Sequence, residues 1–154
     1  MRIFVDTSVI GGCHDEEFGF TSRLLFAEFQ HGKAIAVVSS LTLEELKLAP
    51  DRVGRVLDGV PDDAVEYVEL DEEAVELAEQ YIAGGVLGPG SLVDAQQIAI
   101  ATLHNVDVIV SWNFRHIVNL RRILLFAEVN AKRGLTTPEI RSPREVLSSY
   151  EEER

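Results

Sequence analysis

Short apolar runs along the chain alternate with longer segments in which apolar residues recur at helical spacing. The runs at 34–38 and 107–110, like the one at 3–5, are nearly continuous, which is typical of strands buried on both faces of a parallel sheet. Residues 65–69 alternate in character and predict a half-exposed edge strand. Residues 139–141 add a short fifth candidate, so the pattern predicts four or five strands.

Cap residues and helical periodicity predict helices in most segments between these strands. One helix starts near Thr21 or Ser22 and ends at Gly32, and the next has Thr42 as its N-cap. The other predicted helices are 72–83 capped by Asp71, 91–101 with Ser91 as N-cap, a long helix that ends at Arg133, and a last helix with Ser142 as N-cap and Glu145 three residues on. Residues 11–14 contain two glycines and are predicted to form a flexible connection.

This order of elements predicts a single α/β domain that spans residues 1–154. Strands that alternate with helices form parallel sheets with right-handed crossovers, and the helices cover both faces of the sheet. The expected fold is therefore a three-layer α/β/α domain around a central, mainly parallel sheet of four or five strands.

The composition sets bounds on the class of protein. Hydrophobic residues make up 46% of the 154 residues, which is enough for a sizeable core. No apolar run reaches the ~18 residues that cross a bilayer, and the first strand runs straight into Asp6 without a signal peptide. The single cysteine, Cys13, argues against an internal disulfide framework and suits a reducing cytoplasm. Cys13 precedes His14, but two adjacent ligands without a second pair are a weak indication of zinc.

Charge is unevenly distributed along this acidic chain. The formal net charge of −12 argues against general affinity for nucleic acid. Residues 62–79 contain nine acids and no base, whereas residues 114–144 contain seven bases and only two acids, Glu128 and Glu139. A local basic face could hold a phosphate backbone or an acidic partner protein. A solvated helix face is the commoner meaning of such a run, and it remains an alternative.

Three acids occupy strand or helix ends, where open α/β sheets place their ligands. Asp6 directly follows the first strand, Glu45 lies in the helix after the second, and Asp94 opens the helix before the fourth. Each acid also has a simpler explanation, because a carboxylate in the first turn of a helix can act as a cap.

Glu44 competes with Glu45 for the second of these places. The two residues differ by about 100° around the helix axis, so only one is expected to face a shared pocket. Leu41 and Leu48 are one helical repeat apart, and Glu45 lies midway between them. We therefore favour Glu45.

The topology is expected to bring these acids together. The carboxyl ends of parallel strands share one edge of the sheet, where Asp6, Glu45 and Asp94 would meet Asn113, the residue that follows the fourth strand. Neighbouring carboxylates repel one another, and separate capping roles do not explain their meeting. A carboxylate cluster that keeps waters suits Mg²⁺ or Mn²⁺ rather than zinc. Such a site can activate water for a displacement at phosphorus.

The residues around these positions resemble those of the PIN-domain family of metal-dependent ribonucleases, which includes VapC-like toxins. The similarity lies in short motifs whose order and spacing extend over nearly the whole chain: Val5-Asp6-Thr7-Ser8, Leu43-Glu44-Glu45-Leu46, Val93-Asp94-Ala95 with Ile98-Ala99 and Ala101, and Ser111-Trp112-Asn113-Phe114. The resemblance implies a parallel α/β sheet, one or two Mg²⁺ or Mn²⁺ ions in an acidic pocket, and hydrolysis of single-stranded or structured RNA. It also implies that Asp6, Glu45 and Asp94 are the metal-binding acids.

The chain departs from the family at the fourth acidic place. Asn113 and His116 stand where members often carry acids, and this weakens or removes a second metal. Asn113 can still act through its carbonyl, so we include it among the catalytic candidates. His116 and Arg115 are candidates for substrate binding, although a helix-capping role for His116 is favoured. Thr7 and Ser8 are further candidates, with simple turn hydroxyls as the alternative.

Two functions are consistent with these residues. The first is a Mg²⁺- or Mn²⁺-dependent endoribonuclease, which the resemblance connects with the toxin of a toxin–antitoxin pair and hence with RNA and an antitoxin as partners. The second is a catalytically weak or inactive PIN module that binds RNA or a partner protein, favoured by the missing fourth acid and the net charge. The family and the apolar run 123–126 also predict a homodimer, with ordinary core packing as the alternative for that run.

Overall fold

A five-stranded, fully parallel sheet lies at the centre of the computed structural model, which describes residues 1–152. The strand order is β3-β2-β1-β4-β5, and each strand lies within one residue of its predicted range. The strands are β1 (Arg2–Val5), β2 (Ile35–Ser39), β3 (Val65–Val68), β4 (Val108–Val110) and β5 (Glu139–Arg141). The apolar runs at 3–5 and 108–110 form the buried centre of the sheet, as predicted, and β3 is an edge strand with Tyr67 exposed.

Helices cover both faces of the sheet and form the outer layers of a three-layer α/β/α fold. The α-helices among the described residues are α1 (Thr7–Gly12), α2 (Gly19–Gln30), α3 (Ser40–Lys47), α4 (Asp51–Gly54), α5 (Glu72–Ala83), α6 (Leu92–Leu103), α7 (Leu120–Lys132) and α8 (Pro143–Glu152). The first four helices and α8 pack on one face of the sheet, around Phe26 and Phe29. Helices α5, α6 and α7 pack on the other, around Tyr81 and Phe126. Every helix in the part of the chain that the structure describes is too short or too polar to span a bilayer.

The predicted flexible connection at 11–14 is wrong, because α1 continues through Gly12. Gly12 is buried, and a Cβ there would lie 2.8 Å from Ser22 Oγ and 3.0 Å from Trp112 Nε1. These two atoms are joined by a hydrogen bond of 2.8 Å that Trp112 donates. Close packing against this pair therefore outweighs the low helix propensity of the Gly11-Gly12 dipeptide.

Helix starts were predicted with mixed success. Asp71 caps α5 by accepting a hydrogen bond from Ala74 N, as predicted. Ser142 and Glu145 form the expected reciprocal capping pair at the start of α8. Thr42 is not an N-cap, however, since α3 begins at Ser40 and the hydroxyl of Ser39 accepts a hydrogen bond from the backbone N–H of Thr42. Similarly, α2 begins at Gly19 rather than at Thr21 or Ser22.

The apolar run 123–126 mainly serves the core. Phe126 is fully buried, and Ile123 and Leu125 are half-buried against the same cluster, while Leu124 is exposed. Core packing therefore explains most of the run, and the homodimer stays a prediction.

Cys13 and His14, although adjacent in sequence, lie in different environments. Within residues 1–152, no three His, Cys, Asp or Glu side chains lie close enough to hold one ion together. Cys13 is a free, buried thiol, and its burial raises its pKa to about 11. The imidazole of His14 is exposed and contacts the carbonyl oxygen of Arg52 at 3.0 Å.

Candidate active site

Asp6 lies at the carboxyl end of the central strand, and its carboxylate is held in one orientation. The residue is only 7% exposed. Its Oδ2 atom accepts hydrogen bonds from Ser8 Oγ at 2.7 Å and from Ser111 Oγ at 2.8 Å. Oδ1 accepts no hydrogen bond from the described residues. One oxygen is therefore fixed by the protein, and the other remains for a ligand.

The capping explanations for Asp6 and Asp94 are wrong. Asp6 occupies the N-cap position of α1, but its side chain bonds to no backbone N–H of that helix. Ser91 precedes α6, yet its hydroxyl makes no cap bond, so Asp94 does not serve as the acid of a capping box. Neither carboxylate therefore caps its helix.

Glu44 and Glu45 both line a cleft beside α3, so the expectation that only one of them faces the pocket is wrong, but their contacts differ. Glu44 forms an exposed ion pair with Lys47 at 2.8 Å. Glu45 is also an exposed residue, but its carboxylate lies close enough to Asp6 and Asp94 for their charges to interact. Leu48, which supported the choice of Glu45, is almost fully exposed, so that argument from a core-facing stripe was wrong.

Two of the three acids, Glu45 and Asp94, have raised pKa values, and the charge of Asp6 contributes to both. Partial burial is the largest effect at Glu45, where the charge of Asp6 and then that of Asp94 add to the rise in pKa, against a hydrogen bond from Thr7. Burial also raises the pKa of Asp94, and the charge of Asp6 adds to it. The negative charge of Asp6 therefore disfavours ionisation of Glu45 and of Asp94, as expected of acids that a cation would stabilise.

His116 and Asn113 lie beside Asp94 and partly offset this effect. His116 Nδ1 is 3.2 Å from Asp94 Oδ2, and both side chains favour the ionised form of Asp94. The carbonyl Oδ1 of Asn113 accepts a hydrogen bond from the backbone N–H of His116 at 2.9 Å. The favoured capping role of His116 is wrong, since the N-cap of α7 is Asn119.

A buried polar network behind the acids was not predicted from the sequence. Gln97, which is 1% exposed, donates a hydrogen bond from Nε2 to Thr42 Oγ1 at 2.8 Å and accepts one at Oε1 from Ser39 Oγ at 2.6 Å. Thr7 Oγ1 donates to the same Thr42 oxygen at 3.1 Å. These bonds connect α1, α3 and α6, the three helices that begin beside the acids. The feature of the sequence that could have indicated this network is the position of Gln97, a polar residue directly before the apolar stretch 98–101.

Two of the three acids, Glu45 and Asp94, line an open cleft of about 500 Å³, whereas Asp6 is not among its lining residues. Glu44 and Glu45 line one wall, and Ser91, Val93 and Asp94 line the other. Carboxylate oxygens suit hard divalent cations. The side-chain positions themselves do not gather three ligands around one point within the described chain. The assignment of Asp6, Glu45 and Asp94 as metal ligands therefore stays a prediction.

The predicted substrate-binding residues differ in whether their side chains already bond to other residues of the protein. The hydroxyls of Thr7 and Ser8 are used inside the protein, by Thr42 and Asp6 respectively. His116 is engaged by Asp94. Arg115 is exposed and makes no polar contact with any described residue, so of these candidates it is the one most free to meet a substrate.

The raised pKa of Asp94 predicts how stability depends on pH without metal. The folded chain holds this proton more tightly than the unfolded chain, so the free energy of unfolding falls as the pH rises above the ordinary carboxyl range of about 4. The substitution Asp94→Asn removes the carboxyl group that causes this fall in the free energy of unfolding. We expect the variant to gain stability relative to the wild type between about pH 4 and 7, as measured by urea unfolding in EDTA.

Glu79→Gln is the matched control, because Glu79 is an exposed acid on α5. Glu79→Gln also reduces the net negative charge, but it should raise the free energy of unfolding less than Asp94→Asn does. A variant Asp94→Asn that loses stability relative to the wild type as the pH rises would contradict the prediction.

Comparison with known proteins gives a family and a set of similar folds. The sequence profile of the PIN domain family matches residues 3–117, a range that contains all the predicted site residues. No curated protein sequence matches the chain.

Three solved structures share the fold at low sequence identity. VapC20 of Mycobacterium tuberculosis, a toxin that cleaves the sarcin–ricin loop, is 18% identical with a TM-score of 0.58, covering 74% of this chain and 92% of its own. VapBC2 of Rickettsia felis, bound to a DNA fragment from its promoter, is 11% identical with a TM-score of 0.58. The match covers 92% of this chain and 98% of that chain. FitAcB of Neisseria gonorrhoeae is 14% identical with a TM-score of 0.58. The match covers 92% of this chain and 97% of that chain. At these identities the likeness concerns the fold.

Proposed function

The chain belongs to the PIN domain family, and on that basis we propose that it is a Mg²⁺- or Mn²⁺-dependent endoribonuclease that hydrolyses RNA phosphodiester bonds. Asp6, Glu45 and Asp94 are the residues that would hold the metal ion, and Asn113 is the fourth polar group of the site.

The interaction of the three carboxylates at one edge of the sheet carries this proposal. The charge of Asp6, at the end of β1, contributes to the raised pKa of Glu45 on α3 and of Asp94 on α6, and these two acids line an open cleft. Folding gains nothing from such repulsion, and no cap bond from Asp6 or Asp94 compensates for it. Binding of a divalent cation would turn the repulsion into attraction and neutralise the negative charge that a phosphodiester brings.

Each side chain has a defined part in the proposed reaction. When bound, Mg²⁺ or Mn²⁺ supplies an activated water and stabilises charge at phosphorus. Ser8 and Ser111 hold Asp6 so that one oxygen stays available. His116 and Asn113 favour the ionised form of Asp94 and so partly offset the effect of its burial. Because an amide replaces the fourth acid, we propose a site with one metal ion.

The solved structures suggest a biological setting for this activity. Two of them are complexes named as VapBC2 and FitAcB, and VapC20 is described as a toxin that cleaves an RNA loop. We therefore propose that the chain is the toxin of a toxin–antitoxin pair, with RNA as substrate and an antitoxin protein as partner. A homodimer is part of the same proposal.

Metal titration and RNA cleavage test the proposal together. We expect Mg²⁺ or Mn²⁺ to bind by calorimetry, to raise the free energy of unfolding by about 1.4 kcal/mol at about ten times the Kd, and to support cleavage that EDTA abolishes. Cleavage that continues in EDTA would contradict metal dependence. RNA or partner binding with neither metal binding nor cleavage would instead identify the inactive PIN module.

A further inference from the structure

The loop after β4 carries an exposed aromatic ring next to the acids. Phe114 is 49% exposed. It lies between Asn113 and His116, the two residues that contact Asp94 or lie beside it. The backbone of Phe114 therefore belongs to the loop whose side chains contact Asp94.

The ring of Phe114 rests on a rigid support. It packs edge-on against Trp112, with ring centroids 6.1 Å apart and an angle of 64°. Trp112 is itself buried, stacks on Phe18 at 4.3 Å, and donates a hydrogen bond to Ser22. Its backbone N–H also donates to Ser8, the residue that holds Asp6. The residues before Phe114 are thus tied to the core through Trp112 and to Asp6 through Ser8.

Most of the basic residues between 114 and 144 are already occupied within the protein. Five of them contact the carbonyl oxygen of Val86, a carboxylate or the ring of Trp112: Arg122, Lys132, Arg133, Arg141 and Arg144. Arg115 and Arg121 make no such contact with a described residue. The basic face expected from the sequence is therefore reduced to two free cations, and Arg115 directly follows the exposed ring.

We propose that Phe114 and Arg115 form a subsite for one unpaired nucleotide next to the scissile phosphodiester, with its base stacked on Phe114 and its phosphate bound by Arg115. The proposal rests on the ribonuclease function proposed above. Stacking on an aromatic ring requires a base whose face is free, which loops and single strands offer and a duplex does not. On a chain of net charge −12, stacking supplies affinity that bulk electrostatics cannot. The expected substrate class is therefore RNA with unpaired nucleotides.

A fluorescent base analogue tests the subsite without cleavage. A short single-stranded oligoribonucleotide with 2-aminopurine is titrated with the protein in EDTA at low salt, and stacking on Phe114 should quench its fluorescence. We expect Phe114→Ala to remove most of the quenching and to raise the Kd about ten-fold, while Phe114→Trp retains both. Arg115→Gln should weaken binding and lower the slope of log Kd against log salt by about 0.7.

Phe20→Ala is the matched control, because Phe20 is 70% exposed on α2. It should change neither the quenching nor the Kd, and a duplex with the same analogue should show no quenching change. Equal effects of Phe114→Ala and Phe20→Ala, or no binding of the single strand by the wild type, would overturn the subsite. If the wild type cleaves RNA in Mn²⁺ but Phe114→Ala quenches the fluorescence as strongly as the wild type, the subsite is overturned and the nuclease stands. If Phe114→Ala loses the quenching but the wild type cleaves no RNA in Mn²⁺, only the nuclease function is overturned.

Discussion

Asp6→Asn is expected to lower the rate of RNA cleavage about a thousand-fold, equivalent to about 4 kcal/mol of transition-state stabilisation. The amide has nearly the shape of the carboxylate, but it removes the charge that would hold a cation at the end of β1. The serine hydroxyls that hold Oδ2 can rotate to meet the amide, so the fold should survive. Single-turnover cleavage at saturating Mn²⁺, with circular dichroism as the check on folding, measures the effect.

The two glutamates of α3 provide the control for Asp6→Asn. Glu45→Gln should reduce cleavage because its carboxylate interacts with both aspartates. Glu44 also lines the cleft, but it is paired with Lys47 at the surface, so Glu44→Gln should reduce cleavage less than Glu45→Gln does. Full activity in Asp6→Asn, or a greater loss at Glu44 than at Glu45, would mean that the metal-ligand assignment is wrong.

Gln97→Ala is expected to lower the free energy of unfolding by about 3 kcal/mol. The substitution leaves a cavity in the core and removes the hydrogen bonds that Gln97 makes with Thr42 Oγ1 and with Ser39 Oγ, which are buried as well. Losses of this size are typical of a broken buried hydrogen-bond network. Urea unfolding gives the free energy, and cleavage at saturating Mn²⁺ should fall too, because α3 and α6 carry Glu45 and Asp94.

Gln96→Ala is the matched control for this prediction. Gln96 is the preceding residue on α6, it is only half-buried, and it makes no side-chain hydrogen bond with a described residue. Its replacement removes a similar number of atoms and should cost much less stability. Equal losses at the two positions would show that the network adds nothing beyond the packing of the helix.

The sheet and the meeting of the acids could be predicted because both follow from the order of elements. The buried runs at 3–5 and 108–110 have few alternatives to central strands, and parallel topology then determines which ends share an edge. The helix α1 could not be predicted in this way. Its stability depends on the contact of Gly12 with Trp112, a residue 100 positions away, and local propensity contains no information about it.

The details of the site depend on rotations that periodicity does not fix. Both Ser39 and Thr42 are acceptable N-caps, and the choice between them decides at which residue α3 begins. The contact between His116 and Asp94 depends likewise on the course of the loop after β4. The sequence indicates which residues approach one another, whereas packing decides which atoms touch.

The burial of Cys13 has a practical consequence. A thiol is reactive as the thiolate, and the only cysteine of this chain is shielded and has a pKa of about 11. A cysteine introduced at an exposed position such as Leu124 would therefore react with maleimide dyes or spin labels far faster than the native one. The chain can be labelled at a single chosen site without first removing its own sulfhydryl.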